Sequence, residues 1–307
     1  MTEIYDLIII GAGPAGVSAA IYASRAMLNT LWVDNKCMPG GQITDTYEVD
    51  NYPGMPGVTG MDLGEAFGAH AEKLGLSPAC DEVLSIEDAG EEKIVHTRKN
   101  TYRTKTVILA LGASHRKLGI PGEEEFGGAG VSYCATCDGA FFRGRTIVVV
   151  GGGNVACEDA IFLSRMCEKV YLVHRRNELR ADKILQERLF ACENVEIVWD
   201  SDPIEIQGED MVKALLVKNK VSGEERLIET DGVFIAVGTI PNTWLVKDLV
   251  ETDDYGYIVA GEEGITSVPG IFAAGDLRTK TLRQVVTAVS DGANAVTAVQ
   301  EYLLRQI

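Results

Sequence analysis

Apolar residues in this chain gather in short runs that stop at glycine, and that punctuation predicts its first elements. Tyr5 to Ile10 is a β-branched run of strand length that passes into Gly11-Ala12-Gly13-Pro14-Ala15-Gly16. The Ala-rich stretch from Val17 to Met27 then reads as a helix, and Thr30 to Val33 as a second strand ending at Asp34. The plan recurs. Thr146 to Val150 leads into Gly151-Gly152-Gly153-Asn154-Val155-Ala156, a helix from Cys157 to Met166, and a strand from Lys169 to Val173 that ends at His174-Arg175-Arg176. In both copies the residue after the second strand lies 18 positions beyond the last small residue of the turn, Gly16 to Asp34 and Ala156 to His174. A third echo pairs Thr106 to Gly112 with Gly232 to Gly238. Each is an apolar strand closed by glycine and followed by a proline, Pro121 or Pro241.

This order predicts an α/β protein of two Rossmann-like, three-layer dinucleotide-binding domains. The late segment Ile271-Phe272-Ala273-Ala274-Gly275-Asp276 and the helical stretch from Gln284 to Leu304 carry no third glycine turn. Their simplest placement is back in the first domain, so the second domain is expected as an insertion. The expected bounds are 1–116 and 244–307 for the first domain and 117–243 for the second. The crossings would lie near His115 to Pro121 and Ile240 to Trp244. Ser201 to Glu229 reads as small antiparallel strands.

A chain of 307 residues with 46% apolar and 24% charged positions suits a globular protein with two cores. The formal charge of −17 argues against nucleic acid and against anionic membranes as partners, and it makes any basic cluster informative. No apolar run approaches the roughly 18 residues of a membrane span. The start, Met1 to Asp6, lacks the basic segment of a secretory signal, so a cytoplasmic protein is expected. Seven cysteines, five of them scattered singly, are no disulfide framework. Cys37, Cys80, Cys157, Cys167 and Cys192 read as small core or surface fillers.

The first turn has the mechanics of a dinucleotide fingerprint. Gly11 makes the bend, Gly13 admits a pyrophosphate, Gly16 lets helix and strand close up, and Asp34 is placed to accept from ribose hydroxyls. Glycines can also simply end a strand, but here strand, turn, helix and acid are all present. The second turn, Gly151-x-Gly153-x-x-Ala156, differs in the residues after its second strand. His174, Arg175 and Arg176, with Arg180, replace the acid; arginines bind a 2′-phosphate where a carboxylate would repel it. The alternative is an exposed basic helix start. Two unlike dinucleotides in one chain suggest an electron relay from NADPH through a flavin. Cys134-Ala135-Thr136-Cys137 is the next stop in such a relay: its spacing closes a small disulfide ring and tends to lower a thiol pKa, and Asp138 could shuttle a proton. A structural metal site is the alternative for this pair, but zinc needs about four ligands and no histidine lies at ligand spacing, so no metal is expected.

In these features the chain resembles the bacterial-type, low-molecular-weight thioredoxin reductases of the pyridine-nucleotide disulfide oxidoreductase superfamily, over essentially its whole length and in motif order. Gly11, Gly13, Pro14, Ala15 and Gly16, then Gly40-Gly41-Gln42 and Gly275-Asp276, resemble that family's FAD-contact segments. Arg283-Gln284-Val285 resembles its Arg-Gln-Ala segment near the isoalloxazine, with Val285 in place of the small Ala. Asn35, Asn51, Gly112 and Asn154 join the candidate cofactor-binding residues. Cys134 to Asp138 matches the family's active-site motif, and His174-Arg175-Arg176 with Arg180 its NADPH-phosphate motif. The resemblance implies that NADPH reduces FAD and FAD reduces the Cys134–Cys137 disulfide. Cys137 would be the thiol nearer the flavin, Cys134 would attack thioredoxin or a similar small dithiol protein, and Asp138 would be the acid/base. It also implies a homodimer and a rotating NADPH domain. Rivals are the flavoprotein arm of a peroxide-reducing system, which carries an extra region before the first glycine turn, and a ferredoxin- or flavin-linked NADP reductase, which lacks the cysteine pair or the nucleotide motifs. A non-catalytic flavin- or metal-binding sensor is the rival from outside enzymes.

Overall fold

The computed structural model describes residues 3–46, 49 and 51–306; the sequence reading at Met1 and Thr2 lies outside them. The chain forms two compact units, Met1–Ser114 with Ile240–Ile307 and His115–Thr239. The crossings therefore fall after Ser114 and after Thr239.

The first unit opens with β1 (Ile4–Ile10), α1 (Pro14–Arg25) and β2 (Thr30–Asp34). It continues through α2 (Gly60–Lys73), the two-residue β3 (Ala79–Cys80), β4 (Val83–Asp88), β5 (Lys93–Thr97) and β6 (Thr101–Leu109) to β7 (Ala113–His115). The second unit holds β8 (Val131–Ser132), α3 (Ala135–Asp138), β9 (Thr146–Gly151), α4 (Asn154–Ser164), β10 (Lys169–Val173), α5 (Lys183–Phe190) and β11 (Val195–Val198). The strands β12 (Ser201–Gly208), β13 (Val212–Asn219), β14 (Glu225–Glu229) and β15 (Gly232–Ala236) complete it. The chain returns through β16 (Thr239–Pro241), β17 (Ile271–Ala273) and α6 (Val285–Leu304).

In the first unit the strands run β3-β2-β1-β6-β5-β4, and β17 also pairs β6. One edge of β6 serves two partners: β5 antiparallel over Thr101 to Thr104 and β17 parallel over Val107 to Leu109. The late segment thus pairs in the first sheet. Alternation along β1 separates two cores. Leu7 and Ile9 join the side chains of α1 and α6, whereas Ile8 and Ile10 join Val246, Ile258 and Leu277. Each fully buried residue of this kind stabilises the fold by about 1.5–3 kcal/mol.

The second unit repeats the logic. Its sheet runs β11-β10-β9-β15-β8, all parallel, and the antiparallel β12-β13-β14 forms a separate layer. Ile147 and Val149 of β9 face the α4 core; Val148 and Val150 face Val212, Leu215 and Val217 of β13. The third echo has a structural reason. In both units that strand pairs in parallel with the strand of the glycine turn, Ile10 with Leu109 and Val150 with Ile235.

One expectation is overturned. Cys37 and Cys80 are not separate fillers but a disulfide with Cα atoms 4.9 Å apart. They lie 43 residues apart in sequence, and parallel pairing of β2 with β3, Asp34 opposite Cys80, brings them together. A two-residue strand leaves no periodic signal, so nothing in the sequence marked this contact.

Candidate active site

The glycine turn of the first unit is built by close approach. Gly11 has φ +107°, and a Cβ there would lie 2.4 Å from the carbonyl oxygen of Ala110. A Cβ on Gly16 would lie 1.9 Å from the oxygen of Gly11, so only glycine lets α1 start this close to β1. Above Gly13 the space is open within 4 Å, which is what a pyrophosphate at a helix start needs. Pro14 opens α1 with its φ already helical and no N–H to satisfy.

Asp34 ties this turn to the following loop. Its Oδ2 accepts from the Ala12 N–H at 2.9 Å, and its Oδ1 from the N–H groups of Lys36 and Cys37 at 2.8 and 3.1 Å. A carboxylate has about four acceptor positions, so one remains for a hydroxyl. Beside it a pocket is lined by Gly11, Asp34, Asn35, Asp81, Glu82 and Trp244. The loop then returns to the turn: the Gly40 N–H donates to the Ala12 oxygen at 2.8 Å, and Gly41 packs against Gly13.

Other candidates of the first unit fall into three sets of contacts. Asn51 donates from Nδ2 to Oε1 of Gln284 at 2.9 Å, across more than two hundred residues of chain. Val285 packs with Ile43, Val49 and Leu63 of the same region. Gln42 donates from Nε2 to the Ala113 oxygen, and Gly112 accepts from the Asn242 N–H at 3.0 Å. Gly275 donates its N–H to Asp291 at 2.9 Å, and Asp291 also accepts from Arg278 and Lys280 in a buried cluster. Arg283 lies over the Tyr257 ring, 4.1 Å from its centre. The Oδ1 of Asp276 is buried without a hydrogen-bond partner, 4.0 Å from the Lys280 ammonium, and burial raises its pKa. An orphaned buried oxygen beside an open glycine turn fits a ligand that brings hydroxyl donors, as the ribityl chain and riboses of FAD do. Asp291, Arg278, Lys280 and Tyr257 went unnoticed in the sequence, where no motif marks a residue that acts by holding another.

The second turn shares the mechanics and divides its basic residues. Gly153 again faces open space. Asn154 and Asp182 hold each other, Asn154 donating from Nδ2 at 2.8 Å and accepting from the Asp182 N–H at 2.9 Å. Ala156 is buried where α4 meets the sheet. His174 is not beside the arginines in solvent. It is 4% exposed and lies under the turn, where a Cβ on Gly152 would meet its Nδ1 at 2.1 Å. Burial lowers its pKa, so its ring supports the turn as a neutral group. Arg175, Arg176 and Arg180 are exposed, and the Arg180 N–H donates to the Gly152 oxygen at 2.8 Å.

Cys134 and Cys137 form a disulfide with Cα atoms 5.3 Å apart, at the start and within the single turn α3. Asp138 lies beside them. Its Oδ2 accepts from the Ser132 hydroxyl at 2.5 Å, while Ser132 Oγ accepts from the Cys134 N–H at 3.1 Å. Its Oδ1 is buried without a hydrogen-bond partner, and burial raises its pKa against the lowering effect of Ser132. Tyr133 donates to the buried carboxylate of Glu123 at 2.8 Å, and Glu123 also accepts from the N–H groups of Leu118 and Gly119. Ser132 and Glu123 were not visible in the sequence as partners of the motif. Among the described residues no group of three or more His, Cys, Asp or Glu gathers to hold a metal.

Two dinucleotide-type glycine turns and a closed Cys-x-x-Cys disulfide define a nucleotide-linked disulfide oxidoreductase architecture. The chain belongs to the family described as pyridine nucleotide-disulphide oxidoreductase, whose pattern matches residues 5–292. It is 48% identical over 302 residues to a thioredoxin reductase of Listeria monocytogenes, covering 98% of this chain and 94% of the relative. It is 46% identical to a thioredoxin reductase of Bacillus subtilis, with 98% and 95% covered. The crystal structure of thioredoxin reductase from Streptococcus pyogenes superposes with a TM-score of 0.93 at 46% identity, covering 99% of this chain and all of that one.

Proposed function

We propose that this chain is an NADPH-dependent thioredoxin-disulfide reductase that holds FAD in its first unit and NADPH in its second. The observation that carries this reading is the closed Cys134–Cys137 disulfide with the Asp138 carboxyl at its side. When bound, FAD supplies the two-electron link between the hydride of NADPH and that disulfide. In the first unit Gly11 to Gly16 would hold the pyrophosphate, Asp34 a ribose, and Asp276 the hydroxyl chain, while Asn51, Arg283, Gln284 and Val285 would line the ring end. In the second, the turn around Gly153 would hold the other pyrophosphate, and Arg175, Arg176 and Arg180 the 2′-phosphate.

The protein's own chemistry then lies at α3. Two electrons open the disulfide. Burial raises the pKa of Asp138, whose carboxylate accepts from the Ser132 hydroxyl, and this carboxyl would deliver a proton to the thiolate that leaves. The Cys134 thiolate attacks the disulfide of a small dithiol protein and releases one of its sulfurs as thiolate. Cys137 resolves the mixed disulfide, and the pair is oxidised again as the partner leaves with two thiols. Thioredoxin is the partner favoured by the relatives' names, and the enzyme would work as a cytoplasmic homodimer.

The test is anaerobic titration of the flavin-loaded protein with NADPH. Uptake of more than two electrons per flavin is expected, with the excess lost in Cys137→Ser. Uptake of only two by the unaltered protein overturns the role of the disulfide. A coupled assay with a panel of thioredoxin-like acceptors identifies the partner.

A further inference from the structure

The Cys37–Cys80 disulfide belongs to no step of the proposed reaction, yet it fastens the loop that follows Asp34 to the strand paired with it. We propose that it is a second redox site, opened by dithiols of the class the enzyme itself produces, and that its opening loosens the hold on the adenosine end of the cofactor. This inference rests on the reading of Asp34 as a ribose ligand.

Four observations support it. Both half-cystines are exposed, so a thiol in solution reaches the bond. Cys37 follows Asp34 by three residues, and its own N–H is one of the donors that fix the Asp34 carboxylate. Cys37 has φ +60°, a conformation that side chains with a Cβ avoid; the cross-link and that hydrogen bond hold it there. Finally, Cys80 ends β3, whose register with β2 is only two residues long, Val33 with Ala79 and Asp34 with Cys80. The cross-link is therefore the covalent part of a weak sheet edge. The loop it fastens runs on to Gly40 and Gly41, which pack on Ala12 and Gly13 of the glycine turn.

The step balances without another reagent. A thiolate of the dithiol attacks one sulfur, forms a mixed disulfide and releases the other cysteine as thiolate. The second thiol of the attacker then closes its own disulfide and releases the first cysteine. Two electrons and two protons pass from the dithiol to the Cys37–Cys80 pair. With the bond open, Cys37 is free to leave its left-handed conformation, and Asp34 loses a donor that orients it. Accumulating dithiol would thus make the enzyme shed its flavin, a feedback on its own product.

The experiment uses the flavin-loaded full chain, treated with graded dithiothreitol, alkylated and mapped by mass. In parallel, the rate of flavin release into an excess of apo-flavodoxin is followed. The expected result is reversible loss of the Cys37–Cys80 cross-link and a flavin release rate that rises about fivefold or more with it. The Cys37→Ser/Cys80→Ser variant should release flavin at the faster rate at every dithiol concentration. Its Cys134–Cys137 pair still titrates, so it controls for reduction there. Three results overturn the inference: a pair that stays thiol after oxidation, a cross-link that resists dithiol, or a release rate that ignores its state. If flavin is held and NADPH delivers more than two electrons while release ignores the pair, only this inference fails. If no flavin is held, the reading of the first site fails with it.

Discussion

At the scale of single residues, burial assigns roles that residue type alone does not. His174 and Arg175 are neighbours in a basic run, but one is a buried neutral support for the second turn and the other is exposed. Asp138 shows the same effect on acidity. Burial raises its pKa, so the proton stays on to higher pH than on an ordinary carboxyl, and a step that needs this proton should fail as pH rises through the folded-state value. The stability sign is the same. The contribution is fully present below the unfolded carboxylate pKa, where both states are protonated, and is lost as pH rises through the raised folded one. Asp138→Asn is therefore expected to slow thioredoxin reduction at all pH and to flatten its alkaline decline, while raising the melting temperature at pH 8 more than at pH 4. A variant that keeps the wild-type alkaline limb, in rate against pH, removes Asp138 from the proton's path. The cysteine pair and glycine turns were readable because spacing carries their chemistry. Ser132, Glu123 and Asp291 were not, because each matters through a partner that only folding supplies.

At the scale of elements, the strands that carry turns were legible from apolar runs closed by glycine, and β2, β10 and the antiparallel strands between Ser201 and Glu229 were legible as well, whereas the shortest strands were not. The runs from Tyr5 and from Thr146 became β1 and β9, with helices that begin a few residues earlier than their apolar periodicity, at Pro14 and Asn154. That offset follows from the turns, since α1 opens at the proline that follows Gly13. The two-residue β3 and β8 gave no period to read. Nor could sequence show how α6 reaches the site. On its buried face, Asp291 receives the Gly275 N–H, Arg278 and Lys280 at once, and this fixes the backbone that aims Asp276. The two cations are 7% and 6% exposed, so neither has water as a substitute partner. Asp291→Ala should cost about 3–5 kcal/mol, the penalty of stranding buried charge, and should release flavin before global unfolding. Denaturant titration with flavin fluorescence measures both. A change below about 1 kcal/mol, within the range of exposed ion pairs, would show that the cluster does not brace this turn.

At the scale of the whole molecule, each unit encloses its own cores. Leu7, Ile9, Val296 and their neighbours all come from the first unit, and Ile147, Val149, Leu172 and theirs all come from the second. The second unit is one continuous stretch, His115–Thr239, whereas the first is assembled from two pieces. Separate cores imply separate cooperative transitions, and unlike ligands should move them independently. NADP⁺ at about one hundred times its dissociation constant adds about 2.7 kcal/mol to whichever unit binds it. For a unit of this size that is roughly 8–10 °C in melting temperature. Calorimetry should show one transition that rises with NADP⁺ and another that falls when flavin is removed. NAD⁺ should act more weakly than NADP⁺, because it lacks the 2′-phosphate that we propose Arg175, Arg176 and Arg180 bind. In Arg175→Ala/Arg176→Ala the gap between the two nucleotides should shrink sharply, since each charge-assisted contact is worth about 1.5–3 kcal/mol and only that of Arg180 remains. The double variant also separates two explanations. If the nucleotide turn alone held NADP⁺, its shift would survive the loss of the arginines. A shift that survives unchanged, or one that moves both transitions equally, would mean that selection for the 2′-phosphate does not lie at the end of β10.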